Sequence, residues 1–270
     1  MKYYIYNSKA NNGIKPPIGP EIELTDAIGL DYGAFFEGLN PEDEVVFIGG
    51  DGTLNYLVNA VDTDNLKNNV YLYGAGTGND FLRDIGRNPG EEVLVNEYMK
   101  NLPTVYVNGI ERKFINGIGY GIDGYCCEVA DQIKEVTPNK AINYSAIAIK
   151  GLLFHYNPHH AKITVDGKSY EYDNVWLAPG MKGRFYGGGL MMTPAQDRKS
   201  GKLSTAVYMS KSRLAALMNF PAISKGEHVK NTKMVQIYEG SEIEVTFSEP
   251  SALQIDGETV LNVLTYRVKA

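Results

Sequence analysis

The sequence predicts a mixed α/β protein in which an α/β domain precedes a β-rich domain. Residues 45–61, VVFIGGDGTLNYLVNAV, show an apolar strand-like run, a Gly-rich turn and then apolar residues at helical spacing. Residues 70–85 repeat this order of strand, Gly-rich turn and helix. From residue 104 onward, short alternating or apolar runs separated by Asn-Gly and Asp-Gly dipeptides predict hairpins. A chain of 270 residues is long enough for both domains.

The first domain is expected to cover residues 1–104, because the apolar pattern changes after Leu102-Pro103. Parallel strands that end in neighbouring Gly-rich turns bring those turns to one edge of a sheet. The expected strands are residues 3–6, 45–48 and 70–73, and the expected helices are residues 26–39, 54–61, 81–85 and 91–100.

The second domain is expected to cover residues 105–261, and a last strand near residues 262–270 could return to the first domain. Two hairpins are expected, at residues 105–115 and 161–172. Further strands are expected at residues 175–178, 203–209, 234–238, 242–248 and 252–256, and helices at residues 125–133, 139–153 and 212–220. The last of these helices is expected to pack on the core, although Lys211 and Arg213 at its start suit lipid headgroups.

Composition excludes some classes of protein. Lys plus Arg total 26 and Asp plus Glu total 32, so the net charge of −6 argues against a nucleic-acid-binding protein. The two cysteines, Cys126 and Cys127, are adjacent and are expected to stay reduced, as in a cytoplasmic protein. We expect no signal peptide in the first seven residues and no transmembrane segment, so any membrane contact is expected to be peripheral.

The two Gly-rich turns have the chemistry of a phosphate site. Glycines let an anion approach the backbone, and the N–H groups and dipole at a helix N-terminus favour negative charge. Asp51 inside the first turn conflicts with an anion unless a cation lies between them, and Mg²⁺ bridging a carboxylate and phosphates resolves the conflict. The structural alternative is a tight turn with an Asp near the helix cap.

The motifs GGDGT at residues 49–53 and GTGNDFLRDIG at residues 76–86 resemble those of the diacylglycerol kinase catalytic-domain family, which includes bacterial lipid kinases and sphingosine kinases. GGDGT is shared with NAD kinases, whereas GTGNDF is typical of the lipid kinases. The resemblance implies a three-layer α/β nucleotide-binding domain, a β-sandwich-like domain, and an active site in the cleft between them. It implies that ATP is bound by Asn7, Gly49, Gly50, Asp51, Gly52, Thr53, Gly76, Thr77, Gly78, Asn79 and Asp80.

The same resemblance assigns catalytic carboxylates to Asp256-Gly257-Glu258, which on its own reads as a hairpin turn. It implies that Asp256 orients and deprotonates the acceptor hydroxyl, and that Glu258 and Asp51 hold Mg²⁺. On the acceptor side, Asp123 is a substrate contact or a helix N-cap. The triple glycine Gly187, Gly188 and Gly189 is a close approach to the substrate or a β-bulge.

Two stretches depart from the family pattern. After the first strand only Asn7 matches, and Pro16, Pro17 and Pro20 oppose the helix that the family has there. Ser200 stands where many bacterial members have an Asp that holds a structural Mg²⁺, so we expect no such metal site.

The sequence therefore predicts an ATP- and Mg²⁺-dependent lipid kinase that transfers the γ-phosphate to diacylglycerol or a related lipid at a membrane surface. The alternatives are an NAD kinase-like enzyme, a kinase for a soluble alcohol, and a catalytically weak regulatory protein that binds nucleotide or lipid. The expected location is cytoplasmic with peripheral membrane contact. The oligomeric state stays open, with a homodimer among the options.

Overall fold

The computed structural model describes residues 1–8, 19, 22–76, 78–137 and 142–270 of the chain. These residues form two compact units, Met1–Leu102 and Pro103–Ala270. Thr77, the three prolines of the N-terminal stretch and the expected helix start at Asn139 lie outside the described residues.

The first unit is built on a five-stranded sheet with the order β2-β1-β3-β4-β5. The first four of these strands are parallel, and β5 pairs antiparallel with β4. The strands are β1 (Lys2–Tyr6), β2 (Leu24–Asp26), β3 (Glu44–Gly49), β4 (Asn69–Gly74) and β5 (Glu92–Leu94). The helices are α1 (Tyr32–Glu37), α2 (Asp51–Ala60) and α3 (Asp80–Asp84).

Strand β3 lies at the centre of this sheet and is buried from Val45 to Gly49, as its unbroken apolar run predicts. Both β3 and β4 run directly into the Gly-rich turns, and their last residues, Gly49 and Gly74, are paired in register. The two turns therefore leave the sheet at the same edge, from adjacent parallel strands.

Two helices expected from the sequence are wrong or shorter than predicted. Asp26 ends β2 instead of starting a helix, and Gly29 adopts a φ of 77°, so α1 begins only after its N-cap, Asp31. Residues 91–100 are not a helix: Glu92–Leu94 extends the sheet as β5, and a short 3₁₀ helix covers Asn96–Tyr98. In so short a run, the spacing of the apolar residues fits the period of a helix and that of a strand equally well. Pairing with β4 stabilises the strand.

The second unit holds most of the strands of the chain. The short strands are β6 (Thr104–Val107), β7 (Ile110–Lys113), β8 (Gly117–Tyr120), β11 (Gly180–Met181), β12 (Phe185–Tyr186) and β13 (Leu190–Met191). The longer ones are β9 (His159–Val165), β10 (Lys168–Leu177), β14 (Leu203–Met209), β15 (Val235–Gly240), β16 (Glu242–Ile255) and β17 (Glu258–Lys269).

The main sheet of this unit closes on itself through β16. Residues 243–247 of β16 pair with β9, whereas residues 253–255 pair with β8. The register of β16 against β17 shifts between Thr246 and Leu253, a segment that contains Pro250. Proline cannot donate to a ladder and is found at bulges, so it fits the place where this strand changes partners. The closed sheet encloses a core in which Tyr120 stacks on Phe247.

Three helices cover the outside of this sheet: α4 (Ile122–Val136), α5 (Tyr144–Lys150) and α6 (Arg213–Asn219). A π-helical turn, Gly151–His155, continues α5. The prediction that the last helix, α6, packs on the core is only partly right. Ala216 is buried, but Leu214 and Met218 are 61% and 75% exposed. Among the described helices, none combines the length and apolar character that a membrane-spanning segment requires.

The last strand does not return to the first unit. Strand β17 pairs with β16 along its length and with β6 at Arg267–Lys269, and both partners belong to the second unit. The hairpin turn between β6 and β7 is the one that its Asn-Gly dipeptide predicts. Asn108 and Gly109 have φ values of 48° and 78°, as a type I′ turn requires.

Candidate functional site

The two Gly-rich turns of the first unit touch each other, as their places in the sequence predict. The carbonyl oxygen of Gly49 accepts hydrogen bonds from the N–H groups of Ala75 (2.8 Å) and Gly76 (3.2 Å). A Cβ atom on Gly50 would lie 3.0 Å from the Cα of Gly76, and a Cβ atom on Gly76 would lie only 2.8 Å from the Cα of Gly50, closer than real side chains approach a backbone. Gly50 and Gly76 are therefore needed for the contact between the turns.

Asp51 joins the same two turns through its side chain. Its Oδ2 accepts a hydrogen bond from the N–H of Asp80 (2.9 Å), and its Oδ1 accepts one from the N–H of Phe81 (2.8 Å). These are the first two N–H groups of α3, which have no acceptor within their own helix. Asp51 thus caps the neighbouring helix α3, a role that the sequence did not indicate.

Gly52 differs from the other glycines of the first turn. A Cβ atom on Gly52 would have no described atom within 4 Å, whereas one on Gly49 would collide with the Thr53 side chain. Gly52 belongs to the first turn of α2, where N–H groups lack intrahelical acceptors. The space beside Gly52 is therefore open to a ligand that approaches this helix end.

Asn79 closes the second turn and leaves one buried polar atom without a partner. Its backbone adopts a φ of 50°, and its Nδ2 donates to the carbonyl oxygen of Gly76 (2.5 Å). Its Oδ1 is buried and accepts no hydrogen bond from the described residues. An orphaned buried oxygen of this kind is costly unless a ligand or water satisfies it.

The remaining first-unit candidates lie near this edge or within these turns. Asn7 follows the carboxyl end of β1, whose Tyr6 pairs with Ile48 of β3. Asp80 is buried and accepts a hydrogen bond from Nη1 of Arg83 (3.0 Å). The N–H of Thr53 donates to Gly50 (3.0 Å), and Gly78 is half-buried in the second turn.

In the second unit, Asp256 and Gly257 form the hairpin turn between β16 and β17, with φ values of 45° and 98°. The Asp256 carboxylate accepts hydrogen bonds from three consecutive N–H groups, those of Ile115 (2.5 Å), Asn116 (2.9 Å) and Gly117 (2.9 Å). A carboxylate offers about four acceptor positions, so at most one remains for another donor. The turn predicted from Asp-Gly is correct, and its carboxylate is held rigidly.

Glu258, the other predicted carboxylate, starts β17 and is half-exposed. It forms an ion pair with Nη1 of Arg112 on β7, which is separated from β17 by β6. In the described part of the chain, no group of three or more His, Cys, Asp or Glu side chains is arranged to hold a metal ion.

Asp123 is not the N-cap of α4, because Gly121 occupies that position and Asp123 lies in the first helical turn. Its Oδ2 accepts a hydrogen bond from Nε2 of the buried Gln254 (2.9 Å). The Oε1 of Gln254 in turn accepts the N–H of Gly257 (2.5 Å). Gln254 therefore connects Asp123 to the Asp256 turn, and sequence reasoning missed it because a lone Gln in a strand carries no motif.

The triple glycine forms the turn of the small hairpin β12–β13. Gly187, Gly188 and Gly189 have φ values of 61°, 82° and 115°. Side chains rarely adopt such values, so this turn needs glycines for its own geometry. The β-bulge alternative is wrong.

Ser200 also has a local role where the family pattern has an Asp. Its hydroxyl donates to the carbonyl oxygen of Asp197 (2.8 Å) and accepts the N–H of Lys202 (3.2 Å). These bonds close the loop before β14.

The class of protein follows from two units of this kind: a parallel α/β sheet with paired Gly-rich turns and a β-sandwich-like second unit. Residues 31–105 match the model of the diacylglycerol kinase catalytic domain, and residues 116–268 match the model of the YegS C-terminal NAD kinase beta sandwich-like domain. The chain therefore belongs to the family in which these two domains follow one another.

Individual relatives agree with this family. Proteins named diacylglycerol kinase from two strains of Mycobacterium tuberculosis are 29% identical over 196 residues, which cover 70% of this chain and 62% of theirs. The chain thus spans less than two thirds of the length of these relatives. The crystal structure of a diacylglycerol kinase from Bacillus anthracis has a similar fold, with a TM-score of 0.65 and 20% identity, covering 99% of this chain and 93% of that one.

The contact between the turns yields the first prediction. Asp51→Asn replaces one acceptor oxygen by an NH₂ group that faces a backbone N–H and removes the charge beside the α3 N-terminus. We expect the free energy of unfolding to fall by about 1–3 kcal/mol. The measurement is urea unfolding without nucleotide or Mg²⁺.

The matched control is Asp62→Asn, an exposed Asp in the same unit that accepts from Asp64 and Asn65. We expect this control to lose less than about 1 kcal/mol. Equal stability of Asp51→Asn and the wild type would contradict the capping role.

Proposed function

We propose that this protein is an ATP- and Mg²⁺-dependent lipid kinase that transfers the γ-phosphate to the hydroxyl of diacylglycerol or a related lipid. The observation that carries the proposal is the pair of touching Gly-rich turns at one sheet edge, with open space beside Gly52. The family membership of the chain supports the same reaction.

The first unit supplies the proposed ATP site. The N–H groups at the start of α2 suit phosphate oxygens, and the orphaned Oδ1 of Asn79 is an acceptor that a bound ligand or its hydration shell satisfies. Gly49, Gly50, Gly76 and Gly78 shape the two turns, and Thr53 and Asp80 follow them in the chain. Thr77, which stands between Gly76 and Gly78 in the sequence, is proposed to contact ATP as well. Asn7 completes the set from the end of β1.

The residues present fit Mg²⁺ best through water molecules. Both Asp51 oxygens already accept N–H groups, and Glu258 is paired with Arg112. Mg²⁺ commonly keeps several waters, so carboxylates that are already engaged can still orient its hydration shell. When bound, Mg²⁺ would neutralise charge on the nucleotide phosphates.

Asp256 is proposed to orient the acceptor hydroxyl and to take its proton late in the transfer. Phosphoryl transfer depends mainly on positioning, because its transition state is loose and the protein has little covalent chemistry to do. Three N–H donors fix the Asp256 carboxylate, and a fixed carboxylate orients a hydroxyl better than a mobile one. Asp123, held by Gln254, and the turn of Gly187, Gly188 and Gly189 are proposed to contact the acceptor.

A set of exposed apolar side chains in the second unit supports a lipid acceptor at a membrane surface. Phe154, Leu214 and Met218 are 72%, 61% and 75% exposed. They lie on the π-helical turn and on α6, which are joined because Nη1 of Arg213 donates to Leu152 (2.9 Å) and Tyr156 (2.8 Å). Large exposed apolar side chains beside lysines such as Lys211 are typical of peripheral membrane contact. We propose a cytoplasmic protein with this peripheral contact.

One observation favours a second candidate, a catalytically weak protein that binds nucleotide or lipid. Asp256 and Glu258 both have partners within the fold, as structural residues would. Transfer of labelled phosphate from ATP to a panel of diacylglycerol, ceramide, phosphatidylglycerol, polyprenol and soluble alcohols separates the candidates. Transfer to a lipid supports the kinase, whereas ATP or lipid binding without transfer to any acceptor supports the regulatory protein.

The nucleotide site predicts the effect of a side chain at Gly52. Gly52→Val places two methyl groups in the open space, where a phosphate would bind, and leaves the fold intact because nothing described lies within 4 Å of the Cβ. We expect ATP affinity to fall at least about tenfold, or 1.4 kcal/mol, in isothermal titration calorimetry.

The control for this variant is Gly38→Val, at the C-cap of α1, where a Cβ would make ordinary contacts of 3.5 and 3.6 Å. We expect the control to bind ATP like the wild type. Unchanged affinity in Gly52→Val would remove the first turn from the nucleotide site.

The orienting role of Asp256 predicts a separation of activity from stability. Asp256→Asn removes the charge and one acceptor oxygen, so we expect phosphate transfer to fall about 100-fold while ATP affinity stays unchanged. The free energy of unfolding should also fall, by about 1–3 kcal/mol, because three N–H groups lose their carboxylate.

The matched control is Gly257→Ala, which strains the same turn at a φ of 98° by about 1–3 kcal/mol and keeps the carboxylate. Turnover of folded protein should stay near wild type in this control. Equal turnover losses in the two variants would mean that Asp256 acts only through the fold.

The membrane contact predicts weaker vesicle binding when the exposed apolar residues are made polar. Phe154→Ser combined with Met218→Ser removes two exposed side chains without touching the buried core, so co-sedimentation with lipid vesicles should drop. The control pair is Leu261→Ser with Leu264→Ser, exposed apolar residues on β17. Equal losses in both pairs would contradict a specific membrane surface.

A further inference from the structure

Two cationic side chains are buried side by side in the second unit. Lys182 is 7% exposed and Arg198 is 8% exposed, although the chain as a whole carries a net charge of −6. Removing a charged group from water costs several kcal/mol unless an opposite charge or a set of hydrogen bonds replaces the water. Such a pair needs an explanation, and the proposed reaction of Asp256 does not use it.

Arg198 is fixed in place by the segment that also holds Asp256. Its Nη1 donates to the carbonyl oxygen of Ile115 (2.6 Å), and its Nη2 donates to Oδ1 of Asn116 (2.9 Å). The N–H of the same Asn116 donates to Asp256 (2.9 Å). Asn116 therefore connects the guanidinium of Arg198 to the carboxylate of Asp256.

Lys182 is attached to the same residue through its backbone. The N–H groups of Lys182 and Gly183 both donate to the carbonyl oxygen of Asn116, at 2.9 and 3.0 Å. The ammonium group of Lys182, by contrast, has no hydrogen bond or ion pair with any residue that the structure describes, and its Nζ atom is not among the fully buried polar atoms. An ammonium has three N–H donors, so those of Lys182 point to solvent and to any ligand that enters there.

The surroundings disfavour the charged form of this lysine. Burial, followed by the neighbouring Arg198, lowers the pKa of Lys182, and the exposed Asp197 opposes this only in part. A bound anion would reverse both effects, because it supplies acceptors for the ammonium and an opposite charge.

We propose that Lys182, positioned with Arg198 around Asn116, forms a binding site for a phosphate group in the second unit. The group is a phosphate monoester or diester, carried by a lipid headgroup or present as free phosphate. The inference goes beyond the proposed kinase reaction, because the site requires neither ATP nor transfer.

The test is binding of inorganic phosphate to the full chain by isothermal titration calorimetry at constant ionic strength. Lys182→Met keeps the length of the side chain and removes the ammonium, so phosphate affinity should fall at least about tenfold, or 1.4 kcal/mol. Its melting temperature without phosphate should equal or exceed that of the wild type, because a charge held largely out of water beside Arg198 is gone.

The control is Lys233→Met, an exposed lysine in the same unit, which should bind phosphate like the wild type. A wild-type protein that does not bind phosphate overturns the proposal, whether or not the variant folds. Equal affinity in wild type and Lys182→Met, or a lower melting temperature with unchanged affinity, also overturns it.

Vesicles distinguish the two sources of the phosphate group. Wild type and Lys182→Met are compared on phosphatidylcholine vesicles with and without phosphatidylglycerol. A phosphatidylglycerol-dependent gain that the variant lacks assigns the site to a lipid headgroup. The same gain in both proteins, with phosphate affinity lost only in the variant, assigns it to free phosphate. ATP binding by the wild type, measured separately, tests the kinase proposal independently of these results.

Discussion

The carboxylate of Asp51 holds the first unit in the arrangement on which its proposed chemistry depends. It starts α2 yet bonds the first two N–H groups of α3, so the helices after β3 and β4 are fixed to each other at their N-termini. The close approach of Gly50 and Gly76 and the bonds to Gly49 complete the contact. A phosphate site made of backbone N–H groups requires a backbone that holds those groups in fixed positions.

The second unit contains a similar interaction. The Asp256 carboxylate accepts hydrogen bonds from three consecutive N–H groups, and that of Asp51 accepts two. Each carboxylate thereby fixes a segment that is distant in sequence. Residues of this kind are difficult to assign from mutants, because loss of the carboxylate disturbs both the geometry and any chemistry. Turnover therefore has to be compared at equal folded fraction.

Much of the fold was predictable because its signals are local. The apolar run of β3, the Asn-Gly and Asp-Gly turns and the strand β14 depend on neighbouring residues, and the structure confirms them. The helix expected at residues 91–100 failed because pairing with β4 is a tertiary effect that short apolar spacing does not encode. The hydrogen-bond partners of Asp51 and Asp256 could not be predicted for a different reason. They are backbone N–H groups, which every residue except proline has, so no residue type in the sequence indicates them.

The changed pairing of β16 has a consequence for motion at the Asp256 turn. One continuous strand pairs with β9 in its first half and with β8 in its second, and β17 lines its other edge. Such a strand cannot detach along its whole length without opening the closed sheet, so large movements of β16 are coupled to unfolding of the unit. The turn that carries Asp256 therefore has its position set by three strands, β8, β9 and β17, and not by the two turn residues alone.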